Sequence, residues 1–325
     1  MTGSTTRRGL MLGTAALPFL ARGAAAQAWS PTRPLRIVIG FPPGGGIDIL
    51  ARLMAPKMSE KLGQAVVVEN RPGANGLIAT QGVAQSEPDG LTILFGTTGN
   101  LAVNPVLYAD RVDLARDFAP LSLVASLPFV MVVNPSVPAN TLAEFIALAR
   151  SKPGELNYGS SGNGGLPHLS GELLNAQANI RTVHVPYRGS SPAYADLIGG
   201  RVQFMFDALA IGQPHIEAGR VRALATTGAR RMAALPEVPA AKETLPDFEV
   251  VNWYGMMVRA GTPASAILRL QQEVADALRQ PDVAARAAQL GLDPVGSTAE
   301  EFATFQRAEI DKWGGVIRAA DIKAQ

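Results

Sequence analysis

The stretch LRIVIGFPPGGGID, residues 35–48, decides the fold class. A short β-branched run is followed by a loop of prolines and glycines, and apolar residues then recur at steps of three and four, as on one face of a helix. Residues 65–85 repeat this order of strand, loop and helix. Because these strands are apolar throughout, they predict a parallel sheet that helices cover on both faces.

A second set of strands and helices predicts a second domain. The alternation restarts at Leu156, whereas the three helices near the C-terminus have no sheet of their own to cover. We therefore expect the second unit to be inserted into the first: domain 1 comprises residues 29–128 and 226–325, and domain 2 comprises residues 129–225. Ligands of such sheets bind beyond the carboxyl ends of the strands, so the predicted site is the cleft between the two domains.

The composition excludes several classes of site. The 325 residues include no cysteine, which excludes disulfides, thiolate metal sites and cysteine nucleophiles. The three histidines, His168, His184 and His215, lie 16 and 31 residues apart, and these gaps match no helical metal-ligand spacing. We therefore predict that the protein uses no metal and no cofactor.

The charge pattern gives no reason to expect a nucleic-acid partner. The 29 basic residues barely exceed the 27 acidic ones, and three of the arginines precede residue 29. Without that segment, 26 basic residues face 27 acidic ones, and no basic run is left.

The first 28 residues have the pattern of an export signal. Arg7 and Arg8 form a basic region, an apolar stretch to Leu20 follows, and small residues lead up to the expected cleavage after Ala26 or Ala28. The paired arginines favour a twin-arginine signal, with an ordinary Sec signal as the alternative. The apolar stretch is shorter than the ~20 residues of a membrane span, so a soluble periplasmic protein is predicted.

Two glycine-rich loops, Gly44–Gly46 and Ser160–Gly165, each follow a strand and precede a helix. Glycine lets backbone N–H groups approach a ligand closely, and a helix N-terminus adds unpaired donors, so each loop can hold a carboxylate or a phosphate without a cation. Tight packing between strand and helix is the alternative. Neither loop matches a dinucleotide fingerprint or a P-loop, which argues against a nucleotide ligand.

Three side chains near these loops have two interpretations each. Asp48 either complements the dipole of its helix or contacts a ligand, and Asp207 either faces the cleft or caps the segment that follows. His168 either packs at a helix start or lines the cleft. The segment 159–163 looks like a nucleophile elbow, but Asn163 stands where that motif needs glycine, and no catalytic residue is predicted.

Several motifs, in order along the chain, resemble those of the Bug family, the periplasmic solute-binding receptors of tripartite tricarboxylate transporters. They span essentially the whole mature chain and include FPPGG (41–45) with Asp48, VVENRPGA (67–74), PDG (88–90), NP (104–105), PG-x-LNY (153–158), VPY (185–187) and MFD (205–207). The resemblance implies an α/β fold of two domains, the Venus flytrap of type II periplasmic binding proteins. It also implies a monomer that binds a small carboxylate, such as a dicarboxylate, an acidic amino acid or an aromatic acid, and passes it to membrane subunits.

The family's binding mode, carried over by position, implies ligand contacts from glycine loops of both domains through backbone groups and bridging waters. The implied residues are Phe41, Gly44, Gly45, Asp48, Thr97 and Thr98 in domain 1 and Ser160, Ser161, Gly162 and Asp207 in domain 2, with His168 nearby. The sequence departs from the family pattern in two places. Gly46 and Ile47 stand where a small polar residue is common, and Asn75 stands where glycine is usual, although asparagine tolerates a positive φ. A sensory receptor without transport and an enzyme on the same fold are the alternative functions.

Overall fold

The structure is a computed structural model that describes residues 1–3, 29–187 and 189–323. Nearly all of the predicted export signal therefore lies outside the described residues, and its cleavage stays a prediction. In the part of the chain that the structure describes, no helix has both the length and the hydropathy needed to cross a membrane.

Ten strands of the described chain join in one sheet. They are β1 (Leu35–Ile39), β2 (Val66–Asn70), β3 (Thr92–Thr97), β4 (Phe118–Val133), β5 (Asn157–Ser160), β6 (Val183–Pro186), β7 (Phe204–Ala208), β8 (Arg222–Thr226), β9 (Val251–Arg259) and β10 (Asp293–Pro294). Eight of them follow the order β2-β1-β3-β9-β4-β7-β5-β6, and β8 and β10 also pair with β4. The predicted parallel pairing is confirmed at both ends of the sheet, but β9 and β4 in its middle run antiparallel to their neighbours.

Helices cover both faces of this sheet. The α-helices within the described residues are α1 (Gly46–Leu62), α2 (Leu77–Ala84), α3 (Asn104–Leu107), α4 (Leu114–Asp117), α5 (Leu142–Ser151), α6 (Leu166–Ala178), α7 (Ser190–Ile198), α8 (Leu209–Glu217), α9 (Ala264–Leu278), α10 (Pro281–Gln289) and α11 (Ala299–Ala319). The helices predicted from apolar periodicity are confirmed. The sequence did not predict α8, because Gly212 and Pro214 interrupt its pattern.

Strand β4 joins the two ends of the sheet. Up to Pro128 it pairs with β9, and from Phe129 onward it pairs with β7. We call β1, β2, β3, β9, β10 and residues 118–128 the first half-sheet, and β5 to β8 with residues 129–133 the second half-sheet. Domain boundaries near this change of partner stay a prediction.

The chain crosses between the half-sheets twice, once along β4 and again near Thr227, and Thr227 links the two crossings. Its N–H donates to the Phe129 carbonyl at 2.9 Å, and its hydroxyl accepts from the Phe129 N–H at 2.7 Å. The same hydroxyl donates to the Val250 carbonyl at 2.5 Å. Both crossings of the chain therefore run side by side at one point, where a fully buried threonine links them.

The apolar core is continuous across the two half-sheets. One cluster of buried side chains extends from Leu94 and Trp253 through Phe129 to Phe145 and Phe204. Two further clusters pack α1, α9 and α10 against the first half-sheet and α7 and α8 against the second. The glycine loops, which follow the carboxyl ends of the strands, are therefore attached to well-packed strands and helices.

Candidate ligand-binding site

The residues predicted to bind ligand lie at the carboxyl ends of parallel strands in each half-sheet. In the first, Ile39 of β1 lies beside Asn70 of β2 and Phe95 of β3. In the second, Gly159 of β5 lies beside Val185 of β6 and Met205 of β7. The loops that follow these strands therefore form two groups, one at the edge of each half-sheet.

The Asp48 carboxylate holds the first glycine loop in place. The Gly44 N–H donates to it at 2.9 Å, Arg52 Nε at 3.1 Å and Asn70 Nδ2 at 2.9 Å. Burial opposes the charge, but these hydrogen bonds and Arg52 outweigh burial and lower the pKa of Asp48. Asp48 is therefore ionised and occupied by its own loop, and contact between Asp48 and a ligand stays a prediction.

Asn70 is a supporting residue whose role the sequence did not reveal. Its amide nitrogen donates to the Phe41 carbonyl at 3.1 Å as well as to Asp48, and its amide oxygen accepts from Arg52 at 2.8 Å. The loops after β1 and β2 are thereby tied together. The one available signal was its position at the end of the strand beside β1.

Glycines let the loops of the first half-sheet approach closely. A Cβ on Gly40 would lie 2.4 Å from the Gly76 Cα, and a Cβ on Gly76 would lie 2.9 Å from the Asn100 Cβ, so neither residue can carry a side chain without displacing a neighbour. Asn75 has a φ of 49°, which confirms that asparagine adopts the positive φ expected there. Its side-chain amide donates to Asn104 Oδ1 at 3.3 Å, and its backbone carbonyl accepts from Asn104 Nδ2 at 3.0 Å.

The two threonines after β3 differ in where their hydroxyls lie. Thr98 is fully buried, and its hydroxyl accepts from the Trp253 N–H at 2.9 Å. Thr97 is half-buried, and its hydroxyl accepts from the Gly99 N–H at 3.2 Å. Thr98 therefore connects the site to β9, while Thr97 stands closer to the surface of the loop.

The second glycine loop is folded around the Ser160 hydroxyl. This buried group donates to the Gly162 carbonyl at 2.9 Å, accepts from the Gly162 N–H at 3.2 Å and lies 2.6 Å from His184 Nε2. Because these contacts occupy it, Ser160 shapes the loop. Ser161 and Gly162 are half-buried and lie at the loop surface.

Two stacked imidazole rings contact this loop and support it. The rings of His168 and His184 are 3.7 Å apart and nearly parallel, and the Gly164 N–H donates to His168 Nδ1 at 3.0 Å. Burial lowers the pKa of His168, and burial together with its neighbour lowers the pKa of His184 to about 3. Both rings are therefore neutral at pH 7, and of the two interpretations of His168 the contacts favour packing at the helix start.

Asp207 lies in the second half-sheet beside this loop. Gly159 of β5 pairs with Met205 of β7, and Asp207 follows two residues later, towards the carboxyl edge of the second half-sheet. Its Oδ1 accepts from the Ala208 N–H at 2.8 Å, but its buried Oδ2 has no partner among the described residues. Burial raises the pKa of Asp207 to about 6. The structure thus contains one partnered and one unpartnered carboxylate near the two glycine loops.

Chemistry other than binding has little support in the described residues. The pair of Ser160 and His184 has the distance of a nucleophile and its base, but the Ser160 hydroxyl is already engaged by the carbonyl and the N–H of Gly162. Across the described part of the chain, no three His, Cys, Asp or Glu side chains are grouped to hold a metal ion.

Comparison with known proteins gives consistent matches over most of the chain. The model of the tripartite tricarboxylate transporter family receptors matches residues 50–322. BugT of Bordetella pertussis is 34% identical over 296 residues, which are 90% of this chain and 91% of BugT.

Two solved structures from Rhodopseudomonas palustris are also similar. One, a protein solved with adipate, is 36% identical with a TM-score of 0.76, and the match covers 90% of this chain and 99% of that protein. MatC, solved with bound malate, is 31% identical with a TM-score of 0.72, over 88% of this chain and 99% of MatC.

These matches confirm the predicted two-domain α/β fold of type II periplasmic binding proteins. The residues that the family model matches include the motifs from VVENRPGA (67–74) to MFD (205–207). The chain therefore belongs to the receptor family of tripartite tricarboxylate transporters, and within it to the Bug proteins that its motifs resemble.

Proposed function

We propose that this protein is a periplasmic receptor that binds a small dicarboxylate between its two half-sheets. The observation that carries the proposal is the pair of glycine loops, each held by its own hydrogen bonds and each at the carboxyl edge of one half-sheet. The similar proteins that were solved with adipate and malate support this class of ligand.

Backbone donors supply the attraction for a carboxylate. Helix α1 begins after Gly45 and α6 begins after Gly165, and neither of these capping residues offers a side-chain acceptor. First-turn N–H groups of such helices need a partner, and the positive end of the helix dipole favours an anion. Arg52 is already engaged by Asp48, so in the first loop the ligand's charge rests on N–H groups and bridging water.

The predicted residues divide into two roles in this proposal. Residues with half-buried or exposed surface contact the ligand, and buried residues position them. The proposed contacts are Phe41, Gly44, Gly45, Thr97, Ser161 and Gly162. The proposed positioning residues are Asp48, Thr98, Ser160 and His168, all with buried side chains. Asp207 is buried but has a free oxygen, and its role is taken up below.

Delivery follows binding in this proposal. The two half-sheets close on the ligand by bending where β4 changes partner, at Pro128 and Phe129, and beside Thr227. The closed monomer is the form that the membrane subunits of a tripartite transporter receive. Domains near residues 29–128 with 226–325 and near 129–225 are the moving bodies.

Calorimetric titration tests the binding step. Adipate and malate should bind, whereas 1,6-hexanediol, which has the length of adipate but no carboxylate, should not. Native mass spectrometry of gently purified protein should detect a retained acid, and small-angle scattering should show a smaller radius of gyration once the ligand is bound. If no carboxylic acid binds between about pH 5 and pH 8, the proposed function is wrong, and chemical conversion of the bound acid would indicate an enzyme instead.

A further inference from the structure

The unpartnered oxygen of Asp207 is the starting observation. Oδ2 is buried and accepts no hydrogen bond from the described residues, whereas Oδ1 accepts from the Ala208 N–H. The residue as a whole is 4% exposed. A buried carboxylate oxygen without a donor is unfavourable, so some further group is expected to complete it.

The surroundings of Asp207 contain hydrogen-bonding groups but little charge. The side chain of Ser190, the first residue of α7, lies near the carboxylate and lowers the pKa of Asp207, against the larger effect of burial. Tyr194, one turn further along α7, has a buried hydroxyl that also lacks a partner among the described residues. From α8, His215 stacks on Tyr194 with ring centroids 4.7 Å apart. No described cation contributes to the electrostatics of Asp207, and Arg188 lies outside the described residues.

A carboxylate ligand could not bind next to Asp207 if Asp207 stayed ionised. Asp207 lies two residues beyond Met205, the last residue of β7 that pairs with β5, and therefore at the carboxyl edge where the proposed ligand lies. A ligand carboxylate brings only acceptors, and two carboxylates without a cation between them repel each other. A single proton shared between the two groups removes the repulsion and gives Oδ2 a hydrogen bond.

We propose that Asp207 binds the ligand's carboxylate as a neutral acid, so that each ligand is taken up together with one proton. This inference rests on the proposed function. The proton comes from solvent, is held on Asp207 Oδ2 and points to a ligand oxygen, and no other bond is made or broken. Burial already raises the pKa of Asp207 to about 6, so little free energy is needed to protonate it near neutral pH.

Proton uptake can be measured on the unmodified protein. Titration of adipate in two buffers of different ionisation enthalpy should show close to one proton taken up per ligand at pH 7 to 8. The affinity should fall about tenfold for each pH unit above the pKa of Asp207, because protonation then becomes part of the binding equilibrium. Binding with no proton uptake, or an affinity that rises with pH, would overturn the inference and leave the proposed function standing.

The Asp207→Asn variant separates Asp207 from other titrating groups. Its amide supplies a permanent N–H donor, so adipate should bind without proton uptake and with the same affinity at pH 6 and pH 8. The matched variant Asp282→Asn, at an exposed ion pair with Lys57, should keep the pH dependence of the wild type. His215→Gln and Arg188→Gln should keep the proton uptake as well, and its loss in either variant would assign the effect elsewhere and overturn the inference.

Malate tests the opposite role of Asp207. Malate has a hydroxyl that could donate to an ionised Asp207, and adipate has none. If Asp207→Asn weakens malate at every pH and leaves adipate unchanged, Asp207 is an ionised acceptor and the inference is wrong. If neither acid binds at any pH, the proposed function fails together with the inference.

Discussion

Asp48 and Asp207 are buried carboxylates near the glycine loops of the two half-sheets, yet their surroundings are opposite. Asp48 accepts from Gly44, Arg52 and Asn70, and its pKa is lowered. Asp207 accepts from Ala208 on one oxygen, keeps the other free, and has a pKa raised to about 6. The difference teaches that a buried carboxylate with enough hydrogen-bond donors stabilises a loop, whereas a buried carboxylate with too few donors keeps an acceptor oxygen free for a further group.

Burial alone does not distinguish these two residues. Asp48 is 2% exposed and Asp207 is 4% exposed. Arg52, from the next turn of α1, and Asn70, from the neighbouring strand, make the difference, because they bring donors that offset the loss of water. Among the described residues, no arginine or asparagine donates to Asp207 in this way.

The largest expected effect concerns the first loop and tests whether it touches the ligand at all. Gly45→Val should weaken adipate binding by about 100-fold, since losing one or two hydrogen bonds to a charged group costs about 2–3 kcal/mol. Backbone strain does not contribute to this effect, because φ of Gly45 is −76° and a Cβ there would meet nothing within 4 Å.

Titration calorimetry and a melting curve decide this prediction together. The melting temperature of Gly45→Val should stay near that of the wild type, because valine fits the backbone there. Gly315→Val, also in open space on α11, should change the affinity little. Unchanged adipate binding in a folded Gly45→Val protein would remove the first loop from the site and leave Asp48 as a purely structural residue.

The next largest effect tests the comparison directly through stability. Asp48→Asn should lower the free energy of unfolding by about 1–3 kcal/mol, because the hydrogen bonds that it removes involve a charged acceptor. Asp207→Asn should raise it by up to about 3 kcal/mol at pH 8, the equivalent of a pKa raised from 3.8 to about 6. Urea unfolding followed by circular dichroism measures both.

The two aspartates also have opposite pH windows. The folded pKa of Asp207 lies above its unfolded value, so its contribution is fully present below about pH 3.8 and is lost as the pH rises through about 6. The folded pKa of Asp48 lies below 3.8, so its contribution is present above that value and is lost on acidification. The advantage of Asp207→Asn should therefore shrink at pH 5, and a change of the same sign in both variants at pH 8 would refute the contrast.

The smallest effect concerns the histidines below the second loop. The pKa of His184 falls from 6.5 to about 3, so this residue contributes stability that is present above pH 6.5 and is lost as the pH falls. At pH 6 the loss is about 1 kcal/mol relative to pH 7.5, given the unfolded pKa. His184→Gln should therefore show a smaller drop in melting temperature between these two pH values, and an equal drop would mean that His184 does not carry the effect.

Apolar patterning predicted most of the strands and helices, and it failed where prolines and glycines occur inside regular structure. The sequence predicts only residues 127–133 of β4, an apolar run, and not residues 118–126, which include Pro120. In the structure the irregular pairing of β4 with β9 next to Pro120 accommodates this proline, and the change of partner accommodates Pro128. Helix α8 was missed for the same reason.

The position of the site was easier to predict than the direction of its side chains. Glycine loops at strand ends are visible in sequence. In contrast, the Thr98 hydroxyl faces Trp253, which is 155 residues away along the chain, and Ser160 faces His184. Such contacts depend on which strands become neighbours, and local propensity does not contain that information. For Asp48, the prediction that it serves the start of its own helix is close to the observed contact, because its partner Gly44 is only four residues away.

The unbroken course of β4 has a mechanical consequence. Strand β4 continues without a loop through Pro128 and Phe129, and Thr227 hydrogen-bonds the second crossing to the first at the same level. A change in angle between the half-sheets therefore has to bend a hydrogen-bonded strand instead of turning about a free swivel. For the closure proposed above, we therefore expect a stiff and elastic hinge: closing it would store strain, and the stored strain would push the molecule open again when the ligand leaves.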